Sequence, residues 1–297
     1  MTADAGKEGA TGGVLYVVST PIGNLGDVTL RSLEVLRAVA VVAAEDTRIT
    51  RRLWARHGIE TRLVSYHAHS PESRTSELLA RLSSGEDVAL VTDAGTPLVS
   101  DPGEGLVRAW AERSGRVVPI PGASAVLAAL VASALPVGRW AFEGFLARRG
   151  RERRAALTRI AVDERATVIY EAPGRVAATL RDLVGAAGPA RRAAVCRELT
   201  KRHEETWRGT LGELAERAAA DAPRGEVTIV IGGATDADAD ALRAGEPAAS
   251  EDALAAAYAR VEALTAAGLT RSVAARQVAV ETGIPRRRLF AAPEARS

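Results

Sequence analysis

The chain has a single cysteine, Cys196. One thiol excludes an internal disulfide and a cysteine-built zinc site, and it makes a cytoplasmic location the default expectation. No apolar run approaches the roughly 18–20 residues that a membrane helix needs. Lysine is almost missing: Lys7 and Lys201 are the only two among 39 basic residues, and the rest are arginine. Much of that bias reads as codon usage in a GC-rich genome and not as design for RNA, although guanidinium suits phosphate well. The net charge of +2 neither demands nor forbids a nucleic-acid partner. What is present in quantity is apolar surface: 47% of 297 residues, enough for a sizeable core and about two domains.

From residue 14 onward, short apolar runs alternate with helical patterns. Strands are expected at 14–19, 39–44, 62–66, 88–91 and 116–120, with helices at 29–37, 48–56, 72–84 and 104–113. That βαβα rhythm predicts an α/β fold with a parallel sheet covered by helices on both faces. A helix at 125–133 bridges to a second unit. There the strands fall at 140–145, 166–170, 193–199, 205–209 and 227–231, and the helices at 151–160, 176–184 and 211–220. The 193–199 and 205–209 runs read as a hairpin, so this second sheet is expected to be mixed.

The expected domain plan starts with a disordered tail at 1–13 that is not a signal peptide. An N-terminal α/β lobe at 14–123 and a C-terminal α/β lobe at 124–233 follow. A linker rich in Asp and Ala occupies 234–250, ahead of a small helical module at 251–297. In that module a helix stops at Gly268. A second helix, a turn containing Gly283, and a basic helix opened by Pro285 make a helix-turn-helix pattern. Arg286, Arg287 and Arg288 favour a nucleic-acid reader over a plain helical hairpin.

The chemistry is concentrated in loops at strand ends. The run from Thr92 through Asp93, Ala94, Gly95, Thr96, Pro97 and Leu98 to Gly103 follows a buried strand and precedes a helix. It is longer and richer in Gly and Pro than a plain strand-to-helix connection of about 2–6 residues. Comparable loops run from Ser19 through Thr20, Pro21 and Asn24 to Asp27, from Glu45 through Asp46 to Arg48, from Ser65 through His67 to His69, and from Pro121 through Gly122, Ala123 and Ser124 to Ala125. Parallel strands place such loops on one rim, where open α/β sheets bind ligands. None is a P-loop, and none is a clean dinucleotide fingerprint. The free N–H groups where Ser124 and Ala125 open a helix suit a carboxylate, such as that of an amino-acid cofactor. A simple cap by Ser124 explains the same residues equally well. His67 and His69 are spaced to face one side of an extended segment, but no third ligand is evident, so no metal is expected and RNA contact or rim structure is the better reading.

Several segments together carry a resemblance. They are Ser19–Leu25 (STPIGNL), Ala44–Arg48 (AEDTR), Asp93–Gly103 (DAGTPLVSDPG) and Pro119–Ala125 (PIPGASA). Phe142–Leu146 (FEGFL), Tyr170–Arg175 (YEAPGR), Arg197–Lys201 (RELTK) and the pair Gly225, Glu226 complete them. In this order the chain resembles the bacterial small-subunit ribosomal RNA (cytidine-2′-O)-methyltransferases of the tetrapyrrole-methylase superfamily. The resemblance implies a two-lobed enzyme that uses S-adenosylmethionine (AdoMet), usually as a homodimer. Its implied target is the ribose of a decoding-centre cytidine in the 16S rRNA of the 30S subunit.

The resemblance also implies site residues. The cofactor loops are Thr20 and Pro21, the stretch Asp93 to Leu98, and Gly122 to Ala125. Tyr170 with Glu171, and Gly225 with Glu226, close the cofactor from the second lobe. Methyl transfer from a sulfonium needs no acid for its leaving thioether, so positioning dominates the barrier. The acceptor hydroxyl must lose its proton. Glu45, Asp46, Glu198 and Lys201 are the candidates to orient or deprotonate it, against a structural salt bridge for each. Candidate RNA contacts are Asn24, Arg48, His67, His69, Arg148, Arg149, Arg175 and the three arginines at 286–288. Two rival readings remain: a tetrapyrrole C-methyltransferase, and a non-catalytic nucleic-acid-binding protein.

Overall fold

The computed structural model describes residues 12–235, 251–282, 284, 289 and 290. The chain divides into two compact units, Met1–Ala239 and Asp240–Ser297.

In the first unit, β1 (Val14–Val18), β2 (Val41–Ala44), β3 (Leu63–Ser65), β4 (Val88–Val91) and β5 (Arg116–Ile120) form one sheet in the order β3-β2-β4-β1-β5. Every pairing in it is parallel. Period-two alternation explains how short apolar strands fill two cores. Leu15, Val41, Ala43, Val88 and Leu90 face one side, where Leu78, Leu82, Leu106 and Trp110 of α3 (Glu72–Ser83) and α4 (Glu104–Glu112) cover them. Val18, Val42, Ala44, Ala89 and Val91 face the other side, against Leu33, Leu36, Leu53 and Trp54 of α1 (Leu30–Ala38) and α2 (Thr47–His57). A parallel sheet buried on both faces is the usual outcome of such crossovers.

β6 (Trp140–Phe145), β7 (Ala166–Glu171), β8 (Arg192–Arg197), β9 (Glu205–Thr210) and β10 (Val227–Ile231) form the second sheet, in the order β6-β7-β10-β8-β9. Only β6 and β7 pair in parallel; the other pairings are antiparallel, so the sheet is mixed. α5 (Ala125–Ser133) leaves the first sheet and packs on β8, β9 and β10 of the second. Its Val126, Ala129 and Leu130 share a core with Ile22, Val168, Cys196 and Val230. That shared core joins the lobes. α6 (Arg151–Val162), α7 (Val176–Ala187) and α8 (Leu211–Ala220) complete the unit. α8 opens with a reciprocal capping box between Thr210 and Glu213.

Differences from the expected element bounds have local causes. Val39 is not in a strand: its N–H donates to Val35 O at 3.1 Å and closes α1. α7 runs through Gly185, where a side chain would meet open space, and stops at Gly188, whose φ is 86°. Gly13 is buried and donates its N–H to Leu82 O at 2.7 Å, so order reaches beyond the boundary placed at residue 14.

In the second unit, α9 (Glu251–Ala266) and α10 (Arg271–Thr282) pack through Ala257, Val261, Ala274, Ala275 and Val278, joined by Ile284 and Leu289. Ala274 and Ala275 are fully buried, and their size allows close helix approach. Gly283, Pro285, Arg286, Arg287 and Arg288 lie outside the described residues. So do the tail at 1–11 and the linker from 236 to 250.

Candidate active-site cleft

All five strands of the first sheet end on one edge, and the loops after β1 and β4 are stitched there. Thr20 N–H donates to Gly95 O at 2.8 Å, and Gly95 N–H returns to Thr20 O at 3.1 Å. Thr20 Oγ1 donates to Thr92 O at 3.1 Å, and Ser19 and Thr96 share a hydroxyl hydrogen bond of 2.9 Å. Gly95 sits at φ 76°, a conformation that suits glycine. These contacts hold the loop as a rigid shelf.

Across from the shelf lies the second lobe, with a cleft of about 370 Å³ between them. The first lobe contributes Ile22, Ala94, Gly95, Thr96, Val99, Ser100 and Asp101. Ser124 and Ala125 at the start of α5 form the floor, and Phe145, Tyr170 to Pro173, and Gly225 to Thr228 face them. Thr20, Pro21 and Pro97 are buried behind the wall, Asp93 and Ala123 are half-buried there, and Leu98 is exposed. Gly122 is off the wall too: a Cβ there would meet Ser19 Cβ at 2.9 Å, a packing contact between loops. The lining residues that the sequence did not name as site candidates are Ile22, Val99, Ser100, Asp101, Phe145, Ala172, Pro173, Val227 and Thr228. Most are apolar, or neighbours of singled-out positions that carry no special residue type.

The volume lies in the 300–1,000 Å³ range of small-molecule sites. Ser124 caps α5, its Oγ accepting from Leu127 N–H at 3.4 Å, and the preceding N–H groups of that helix remain to meet an anion. An apolar wall with a helix N-terminus at its floor fits a nucleoside joined to an amino acid, so the residues present suit AdoMet.

The charged candidates separate into two groups. At one end, Glu198 Oε1 accepts from Lys201 Nζ at 3.0 Å and from Glu226 N–H at 3.0 Å. Lys201 Nζ also meets Glu226 Oε2 at 2.9 Å. The Glu226 N–H, more than any other group, holds the Glu198 carboxyl below its usual range, with Lys201 assisting. Burial pushes the Lys201 ammonium down, but its bonds to Glu226 and Glu198 outweigh this and the net shift is upward. A charged Lys201 is no base. The same turn clasps the first lobe: Asn24 N–H donates to Thr200 Oγ1 at 3.1 Å, and Gly23 packs on the Lys201 stem.

At the other end, Asp46 caps α2 and holds Arg48 through Oδ2 at 2.6 Å. That hydrogen bond, above all, draws the Asp46 carboxyl down to about 2. Asp46 N–H donates to Asp93 Oδ1 at 2.9 Å, and Asp93 N–H to Glu45 Oε2 at 3.3 Å. Burial raises both Glu45 and Asp93. Asp101 rises further, to about 6, through burial and then through Glu45 and Asp93. Its neutral form therefore favours the fold at low pH, and that contribution is lost as pH climbs through about 6. Asp101→Asn is expected to raise the thermal midpoint of the full chain at pH 8 but not at pH 4, as read by circular dichroism.

Asn24, Arg48, His67, His69, Arg148 and Arg149 are exposed. His67 and His69 lie in a turn, not on an extended segment: His69 N–H donates to His67 Nδ1 at 3.2 Å. Among the described residues, no group of three or more His, Cys, Asp and Glu is placed to hold a metal. Arg175 is half-buried and engaged with Glu171 Oε1 at 3.3 Å and Leu146 O at 2.9 Å. Arg153, in the arginine-rich run after Arg148, is buried and bound to Asp182, Thr179 and Ala147 O. That run therefore combines exposed arginines with a buried one.

The family model for tetrapyrrole (corrin/porphyrin) methylases matches residues 14–215. A ribosomal RNA small subunit methyltransferase I from Synechocystis sp. is 48% identical over 278 residues, covering 94% of this chain and 96% of that one. Its Bacillus subtilis namesake is 40% identical, covering 94% and 93%. Among solved structures, the methyltransferase CobJ aligns with a TM-score of 0.57 at 19% identity, covering 75% of this chain and 95% of that one. Uroporphyrin-III C-methyltransferase from Thermus thermophilus, complexed with S-adenosyl homocysteine, gives 0.54 at 20%, covering 74% and 97%. The structural likenesses agree with the two-sheet architecture. The sequence relatives place the chain more finely, and it belongs to the ribosomal RNA small subunit methyltransferase I family within the tetrapyrrole methylases.

Proposed function

We propose that this AdoMet-dependent methyltransferase methylates the 2′-hydroxyl of a decoding-centre cytidine in the 16S rRNA of the 30S subunit, acting in the cytoplasm as a homodimer. The observation that carries the reading is near full-length identity of 48% to a protein named for small-subunit rRNA methylation. The cleft supports it. Among the described residues no helix is long and apolar enough to cross a membrane.

AdoMet supplies an electrophilic methyl group on a sulfonium, whose departing thioether needs no proton. The protein's task is to bind, orient and take up one proton. The start of α5 holds the cofactor carboxylate. The shelf of Ala94, Gly95 and Thr96 lets the backbone approach closely, and Tyr170, Glu171, Gly225 and Glu226 cover it from the second lobe. Thr20, Pro21, Asp93, Pro97, Leu98, Gly122 and Ala123 support these loops from behind or beside the wall. Asn24, Arg48, His67, His69, Arg148 and Arg149 meet RNA phosphates at the rim, and the module at 251–297 with Arg286, Arg287 and Arg288 adds a second contact. Glu45 and Asp46 from one end, and Glu198 and Lys201 from the other, orient the acceptor through the bonds above.

The test is transfer of labelled methyl from AdoMet by the full chain. Label is expected in 16S rRNA of 30S subunits, on a cytidine whose ribose then resists alkaline cleavage. Label in a uroporphyrinoid instead would favour the tetrapyrrole rival, and failure to bind AdoMet would favour a non-catalytic binder. A truncation ending at residue 234 is expected to keep AdoMet affinity but to bind 30S subunits more weakly, with a shallower salt dependence. Unchanged 30S methylation by that truncation across salt concentrations would remove the module from RNA reading.

A further inference from the structure

Three carboxylates line the cleft, and two are already engaged. Glu171 accepts from Thr179 Oγ1 at 2.6 Å and Ala172 N–H at 2.9 Å, and it pairs with Arg175. Glu226 is held by Lys201. Asp101 has no hydrogen-bond or ion-pair partner among the described residues, although it is half-buried. Its loop is built at a cost: Leu98 at φ 75° and Ser100 at φ 69° both occupy the left-handed region without being glycine. Such strain persists where surrounding structure enforces it and clusters at functional sites. Here it presents one unpaired carboxyl to the cleft, opposite Tyr170 of β7.

The surroundings say which ligand meets Asp101. Glu45 and Asp93 act on Asp101 electrostatically and Asp101 on Tyr170, while Arg48 acts in the same way on Asp93 and His67 on Glu45. Both Arg48 and His67 are exposed. The exposed Arg48 guanidinium therefore lies near the acidic end, which suits a phosphate-linked acceptor entering there.

We infer that Asp101 is the general base of methyl transfer, receiving the proton of the acceptor hydroxyl. This rests on the methyltransferase reading above. In the step, the ribose oxygen forms a bond to the methyl carbon, and the S–CH3 bond breaks with its electron pair left on sulfur. The O–H bond breaks at the same time, its proton passing to a carboxylate oxygen of Asp101. One unit of positive charge on the donor is thereby balanced by one proton gained by the protein. A base with a midpoint near the working pH is best matched to such a transfer. Asp46, Glu198 and Lys201 are each tied in an ion pair, and Glu45 lies off the cleft wall, holding the Asp93 N–H.

The test compares the full-length protein with Asp101→Asn and Asp101→Glu on 30S subunits at saturating AdoMet, in single turnover. Asp101→Asn is expected to lose about 10²–10⁴-fold in rate, with AdoMet affinity by calorimetry unchanged within about threefold, roughly 0.6 kcal/mol. Asp101→Glu should recover part of the rate. The wild-type rate should fall with acid around the Asp101 midpoint of about 6, and a labelled Asp carboxyl should titrate there by carbon NMR and vanish in Asp101→Asn. An equal rate in Asp101→Asn would overturn the assignment. So would AdoMet affinity lost in step with rate, which would make Asp101 a donor-binding group. No carboxyl titrating between about pH 5 and 7 in the wild type would also overturn it, even if the variants fail to fold. A wild type that binds AdoMet yet leaves 30S rRNA unmethylated would overturn the rRNA reading itself, a different failure from an active wild type matched by Asp101→Asn.

Discussion

Gly95→Val is expected to weaken AdoMet binding by about 100-fold or more, roughly 2.7 kcal/mol, while the first sheet stays folded. A Cβ built on Gly95 meets only Ile22 Cγ2 at 3.4 Å and Ala123 O at 3.9 Å. The first added carbon therefore fits, and the two further methyls extend into space on the cleft wall. The φ of 76° adds backbone strain of about 1–2 kcal/mol for an L-residue. The paired hydrogen bonds to Thr20 hold the loop against relief of that strain. Gly95→Ala should show the strain with a smaller loss of affinity. Calorimetry on both variants, with a thermal melt as the folding control, separates the terms. Unchanged affinity in folded Gly95→Val would remove the shelf from the cofactor site. Gly122 behaves differently despite its similar loop: its substituent would press on Ser19, so Gly122→Val is expected to cost stability before affinity.

Arg153→Ala is expected to destabilise the first unit by about 3 kcal/mol, the scale for breaking a buried charged pair from one side. The side chain is 9% exposed and its guanidinium makes four contacts. Nε and Nη2 reach Asp182 Oδ2 at 2.8 and 2.7 Å, Nη1 reaches Ala147 O at 3.0 Å, and Nη2 reaches Thr179 Oγ1 at 3.0 Å. Thr179 in turn donates to the fully buried Glu171 carboxylate at 2.6 Å. Truncation removes a long packed stem and leaves Thr179 and Ala147 O short of a partner. Asp182 is 46% exposed and can be resolvated, which keeps the loss at the lower end. Urea unfolding measures the change. Arg154→Ala, at an exposed neighbour in the same arginine run, should stay within about 0.5 kcal/mol. Equal effects at the two positions would show that the buried network is not what stabilises α6 and α7. Because Glu171, Ala172 and Pro173 line the cleft, Arg153→Ala should also loosen cofactor binding.

What could be read locally was the succession of elements. Val88–Val91, Arg116–Ile120, Trp140–Phe145, Leu211–Ala220 and Val227–Ile231 stand where apolar runs and helical spacing put them. The signal is short-ranged in each case: two-residue alternation for a strand, 3.6-residue recurrence for a helix. Loop chemistry was equally local, since Gly and Pro after a strand announce a turn whichever sheet receives it. These patterns, with the ordered motifs, were enough to indicate the two-lobed methylase architecture.

Tertiary structure decided which polar groups are spent and which are free. Asp46 and Lys201 were open in the sequence between acting on the acceptor and forming a salt bridge, and partners at Arg48, Glu198 and Glu226 hold them charged. Arg153 and Arg154 are the same residue type side by side, but α7 packs over Arg153 and not over Arg154. Asp101 lay inside a loop chosen for its glycines and was not singled out. Its distinction is that it has no hydrogen-bond or ion-pair partner among the described residues, together with the electrostatic influence of Glu45 from another strand end and its own on Tyr170 of the other lobe. Charge state depends on distances across the fold, between groups tens of residues apart, and no periodicity along the chain encodes those distances. The sequence by itself determined which elements form and where the loops lie; only the tertiary packing that brings loops from distant strand ends together decided which carboxyl of the cleft is left without a partner among the described residues.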